Sequence, residues 1–168
     1  MFKELNKLLS QKDKKILFVG IGNLLKMDDG VGVYISRKIK KKGTISSLTV
    51  EVSIENYIGK INSLNPDLLV LIDCVDMKSA AGTFKLLVVS QIQDMTFNTH
   101  NISLKQLSEF FSMPVFIIGI QPEKIEFGEN ISYLVKNVAD KIIKQINKQE
   151  VHYGCRISLQ SLQGPSQS

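Results

Sequence analysis

The sequence predicts a single α/β domain, a three-layer α/β/α arrangement around a twisted, mostly parallel (mixed) sheet of about five strands. Three observations predict it. Continuous apolar runs at 16–21, 68–72 and 115–120 have the unbroken character of strands covered on both faces. Segments with apolar residues three and four apart, at 31–41 and 133–146, stand among them, so strands and helices alternate. A length of 168 residues suits one core rather than two.

Each element has its own local signal. Phe2, Leu5, Leu8 and Leu9 share a helical face in an amphipathic segment, 1–14, that precedes the domain proper at 15–148. KILFVG (15–20) is a buried strand entering a glycine-rich turn, and the helix 31–41 is expected to end at Gly43. LTVEVSI (48–54) alternates like a strand, and a short helix over 56–64 is stopped by Asn65-Pro66. Residues 67–72 and 82–89 read as strands, and Ser103 caps a helix carrying Leu104, Leu107, Phe110 and Phe111 on one side. After the strand 114–120 comes the clearest helix, 133–146, with Leu134, Val135, Val138, Ile142, Ile143 and Ile146 on one face. Residues 149–168 are rich in Ser and Gln without a helical stripe and read as a mobile tail, with no role for His152 or Cys155.

Composition removes several function classes. With 43% hydrophobic and 22% charged residues the chain is not disordered. Two cysteines, Cys74 and Cys155, make neither a disulfide scaffold nor a zinc cluster. No apolar run approaches the ~20 residues that span a bilayer, and the charged N-terminus lacks a signal-peptide core. A cytoplasmic protein without membrane insertion is expected. The net charge of +5 comes from residues 1–42, where 11 basic residues against 4 acidic ones give +7, while the rest of the chain is −2. No aromatic residues interleave with that charge, so nucleic-acid binding is not expected.

The chemistry concentrates in three loops. Gly20-Ile21-Gly22-Asn23 through Asp28-Asp29-Gly30 follows a strand and precedes a helix, where open α/β sheets place their sites. A dinucleotide reading fails there. Leu25 replaces the third glycine of G-x-G-x-x-G, and two carboxylates stand where a pyrophosphate needs positive potential. At ~4 Å in an effective dielectric of about 20, each like-charge contact costs about 4 kcal/mol. One aspartate of the pair suffices to cap the helix, which leaves the other to point into the cleft. Asp73 leaves the end of a buried strand, a position equally suited to bonding a neighbouring loop. His100 is the only histidine within the patterned region. If these loops gather at one sheet edge, Asp29, Asp73 and His100 form an O/O/N set suited to a divalent transition metal with open positions. Cys74, by strand alternation, points to the opposite face.

Four ordered motifs carry a family resemblance: GIGNLLKMDDGVG (20–32), LLVLIDCVD (68–76) with AGT (81–83), NTHNISL (98–104) and IIGIQPEKIEFG (117–128). With them the chain resembles the hydrogenase maturation endopeptidases, in the branch acting on formate-hydrogenlyase-type enzymes. The resemblance implies an aspartyl-type endopeptidase that removes the C-terminal peptide from the large-subunit precursor of a nickel-iron hydrogenase. By motif position it implies catalytic and metal-contacting roles for Asp29, Asp73 and His100. The nickel is supplied by the precursor, and no resident organic cofactor is implied. Two ways of activating water stay open, Asp29 as general base or nickel polarising the carbonyl. Many relatives carry Asp-Gly-Gly after the second strand; this chain has Val50–Asn56 instead, and Glu51 receives no role. The alternative from another class is a non-catalytic, nickel-dependent binding module that guards the precursor.

Overall fold

The computed structural model describes residues 2–89, 96–97 and 104–148. In chain order the elements are α1 (Lys3–Leu9), β1 (Ile16–Ile21), a 3-10 turn (Met27–Gly30), α2 (Val31–Lys38), β2 (Ile45–Glu51), a second 3-10 turn (Ile54–Tyr57) and α3 (Ile58–Leu64). There follow β3 (Leu68–Asp76), β4 (Phe84–Val88), β5 (Thr96–Phe97), α4 (Leu104–Ser108), β6 (Val115–Ile120) and α5 (Tyr133–Asn147).

The strands line up as β2-β1-β3-β6-β4. The first four are parallel, and β4 runs antiparallel to β6 at the edge. The short β5 pairs antiparallel with the end of β3. The expected mixed, mostly parallel sheet is therefore present, with a two-residue sixth strand that no sequence pattern announces.

Alternation along the strands builds one core on each face. Phe18, Val70, Ile72 and Ile118 pack with residues of α1, α2 and α5. Leu17, Val19, Leu69, Leu71 and Ile117 pack with Ile61 of α3 and Leu107 of α4. Leu5, Leu8 and Leu9 of α1 are buried in the first core. The chain leaves β1 for β2 through α2 on one face, then returns to β3 through α3 on the other. The winding reverses between β1 and β3, which makes the crevice beyond their carboxyl ends the topological switch point.

Four details depart from the sequence reading. Helix α2 stops at Lys38, because Asn147 of α5 donates to the Lys38 carbonyl (3.0 Å) and accepts from the Lys40 N–H (2.9 Å). Gly43, with φ +56°, belongs instead to the tight turn in which Lys42 and Ile45 exchange backbone hydrogen bonds. Strand β2 covers 45–51 rather than 48–54, since Ile45 pairs with Ile16 and the ladder ends at a bulge where Glu51 takes φ +54°. Phe110 and Leu134 are exposed: α4 ends before Phe110, and Leu134 lies one step of about 100° round α5 from buried Val135. Ser103, His100 and the segment 149–168 lie outside the described residues. Among the described residues no helix is long and apolar enough to cross a membrane.

Candidate active site

The glycine-rich loop folds back on its own carboxylate. Beyond β1, Gly22 takes φ +138°, a region that side chains avoid. The Asn23 N–H donates to Asp29 Oδ2 (3.0 Å), the Leu25 N–H donates to Asn23 Oδ1 (2.9 Å), and the Asp29 N–H donates to the Lys26 carbonyl (3.1 Å). The Asn23 amide, which a nucleotide phosphate would need, is thus already occupied by Asp29.

Helix α2 begins immediately afterwards and sits hard on the sheet. A Cβ on Gly32 would come within 2.1 Å of the Ile72 carbonyl and 2.2 Å of the Ile21 carbonyl. The helix start thus rests on the carboxyl ends of β3 and β1 together. That contact brings Asp29, three residues before Gly32, and Asp73, one residue after Ile72, to the same edge at the switch point. Asp29 is 1% and Asp73 0% exposed.

The two carboxylates are held differently. Asp29 Oδ1 is buried with no hydrogen-bond partner among the described residues. Desolvation raises the pKa of Asp29, against the opposing effects of the Asn23 hydrogen bond and the Lys26 charge. Asp73 Oδ1 accepts from the N–H of its own neighbour Cys74 (2.8 Å), and Gly119 stands opposite it on β6. The Cys74 side chain lies in the core on the other face, as alternation predicts. Burial pushes its thiol pKa up, and the charges of Asp73, Asp29, Asp28 and Asp76 add to the effect. One thiol therefore senses four acids gathered at one end of the sheet.

Asp28 does a different job from Asp29. The sequence suggests helix capping, but no side chain caps the 3-10 turn or α2. Instead the Asp28 carboxylate accepts four hydrogen bonds from the loop after β6. Glu123 N–H (2.8 Å), Lys124 N–H (2.9 Å) and the Ser132 hydroxyl (2.9 Å) donate to Oδ2, and Ser132 N–H (2.6 Å) donates to Oδ1. These partners lie 95 to 104 positions away, so no local pattern identifies them. Gln121 is a second such tether: its Oε1 accepts from the Met77 N–H (2.6 Å) and its Nε2 donates to Asp76 (3.3 Å), pinning the loop after β3. Among the described residues no group of three or more His, Cys, Asp or Glu side chains is placed to hold a metal ion. Of the expected O/O/N set, the structure brings the two oxygen donors to one edge, and His100 lies outside the described residues.

Comparison with known proteins follows the same outline. The family model described as HycI, hydrogenase maturation protease, matches residues 33–149. The chain belongs to the hydrogenase maturation protease family. A Methanocaldococcus jannaschii protein assigned by name to the hydrogenase maturation proteases is 31% identical over 150 residues, covering 79% of this chain and 86% of its own. The crystal structure of a [NiFe] hydrogenase maturation protease HycI from Thermococcus kodakarensis superposes with a TM-score of 0.76 at 26% identity, over 88% of this chain and all of the other. The solution structure of an endopeptidase HycI from Escherichia coli gives 0.68 at 26% identity, over 79% of this chain and 89% of that one. As a member of this protease family the chain is an endopeptidase, a hydrolase of peptide bonds. The binding-module alternative is thereby set aside.

Proposed function

We propose that this endopeptidase recognises nickel in the large-subunit precursor of a nickel-iron hydrogenase and removes the precursor's C-terminal peptide. Asp29, Asp73 and His100 are the residues that contact the metal. Nickel arrives as part of the substrate, and the enzyme needs no organic cofactor of its own.

The observation that carries this reading is Oδ1 of Asp29, buried at the switch point with no hydrogen-bond partner among the described residues. A desolvated carboxylate oxygen without a donor is unfavourable in the free protein. A cation carried in by the substrate relieves that cost. Oxygen and imidazole donors suit open positions on a divalent transition metal. Docking energy is then concentrated on the loaded precursor, and only there is the scissile bond held in place for attack.

The test compares nickel-loaded and nickel-free precursor, each incubated with chelator-stripped enzyme and followed by mass spectrometry. Loss of a C-terminal peptide from the loaded form alone is expected. Equally rapid cutting of the nickel-free form overturns metal recognition, and cutting elsewhere in the precursor overturns the C-terminal assignment.

A further inference from the structure

The loop between β6 and α5 has an unusual combination of properties. Phe127, near its apex, is 89% exposed, yet the loop is pinned to the candidate site at several points. Besides the four hydrogen bonds to Asp28, the Met27 N–H donates to the Gly128 carbonyl (2.7 Å), the Gly128 N–H to the Leu25 carbonyl (2.9 Å) and the Asp28 N–H to the Lys124 carbonyl (3.3 Å). Lys26 and Gly128 form a parallel bridge. Backbone pairing alone would align the two loops. The buried carboxylate adds an acceptor for the donors at both ends of the segment 123–132.

All four groups that meet Asp28 donate to it. A residue with two acceptor oxygens satisfies them; an amide would turn a donor against donors. An aromatic side chain presented to solvent on a loop so restrained loses little conformational freedom when it binds. Leu25, half exposed, lies on the partner loop. Glu123, Glu126 and Glu129 are exposed around Phe127, against two exposed lysines, Lys124 in the same stretch and Lys26 on the facing loop, so the surround is net acidic. An apolar anchor in an acidic surround fits a basic, apolar stretch of polypeptide.

We propose that Asp28 is a positioning residue that locks the loop 123–132 against the glycine-rich turn, and that Phe127 on this loop is a docking contact for a basic, apolar stretch of the precursor. The occupant rests on the substrate assigned under the proposed function. Asp28 acts through the loop and touches no reacting atom.

The experiment uses the full chain in wild-type form and as Asp28→Asn, Ser132→Ala and Phe127→Ser. Hydrogen exchange of the free proteins reads the loop without any substrate. Exchange over 123–132 is expected to rise in Asp28→Asn, and less in Ser132→Ala, which loses one of the four bonds and stands in if Asp28→Asn does not fold. Unchanged exchange in both overturns the role of Asp28. Affinity for nickel-loaded precursor and single-turnover cleavage are then measured separately. Phe127→Ser is expected to weaken binding by roughly tenfold with wild-type exchange and an unchanged cleavage rate at saturation. Wild-type affinity in Phe127→Ser, or a lost cleavage rate at full affinity in Asp28→Asn, overturns the docking role. If wild-type protein binds the precursor without cutting it, the proposed function fails while the docking contact is still read from the affinities.

Discussion

Gly22 and Asp29 touch through the backbone: a Cβ on Gly22 would lie 1.9 Å from the Asp29 carbonyl oxygen. The second glycine of the loop is therefore a condition for the position of the acid, and not a phosphate-binding device. At φ +138° the position is strained for any L side chain as well.

Gly22→Ala is accordingly expected to cost at least about 2 kcal/mol of stability and to abolish processing, because relief of the clash displaces Asp29. Urea unfolding and a precursor-cleavage assay check both halves. A stable, active Gly22→Ala protein would separate the acid's position from the turn.

Asp29→Asn is expected to inactivate the enzyme and raise its thermal stability at neutral pH. Burial raises the folded-state pKa of Asp29 above the ordinary 3.8. Between those two values the folded state binds more protons than the unfolded one, so stability falls as pH rises through the window. Above it the full cost of a buried charge is present, and the amide avoids it. The gain in Tm over wild type should shrink as pH is lowered towards 3.8. A constant difference across that range would locate the destabilisation elsewhere. This is the stability cost expected of a functional acid.

Asn147→Ala tests the junction that ends α2. The side chain links the last turn of α5 to Lys38 and Lys40 with two hydrogen bonds at the surface. Their loss should cost about 1 kcal/mol, seen as a lower urea midpoint at unchanged slope. Cleavage of precursor should stay at the wild-type level, because the contact is remote from the switch point.

The legible parts of this chain are those written in short-range periodicity. Unbroken apolar runs identified β1, β3 and β6, and the 3.6-residue stripe identified α5. Both are local consequences of burial on two faces or one. The end of α2 was not legible, because the group that ends it, Asn147, lies more than a hundred positions away. The same holds for Asp28. Its neighbour Asp29 stands out by motif position, but only the fold reveals that one carboxylate is fully engaged and the other keeps an oxygen with no partner among the described residues. Residue type indicated the chemistry here; partner and direction came from tertiary contacts.

A pair of substitutions on β3 separates loss of function from loss of fold. Val70 is fully buried in the first core and flanked in register by Phe18 on β1 and Phe116 on β6. Val70→Asp places an unpaired charge in that apolar surround and costs several kcal/mol, on the order of the whole stability of such a domain. Asp73, three residues along, is also fully buried but lies at the acidic end of the strand. Asp73→Asn keeps an oxygen to accept from the Cys74 N–H while removing the carboxylate charge. It should keep a cooperative fold and still fail to process precursor. Circular dichroism with thermal melts, run beside the cleavage assay, tells the two apart: Val70→Asp without a cooperative transition, Asp73→Asn with one. An Asp73→Asn protein that melts normally and cuts at the wild-type rate would remove this aspartate from the active site.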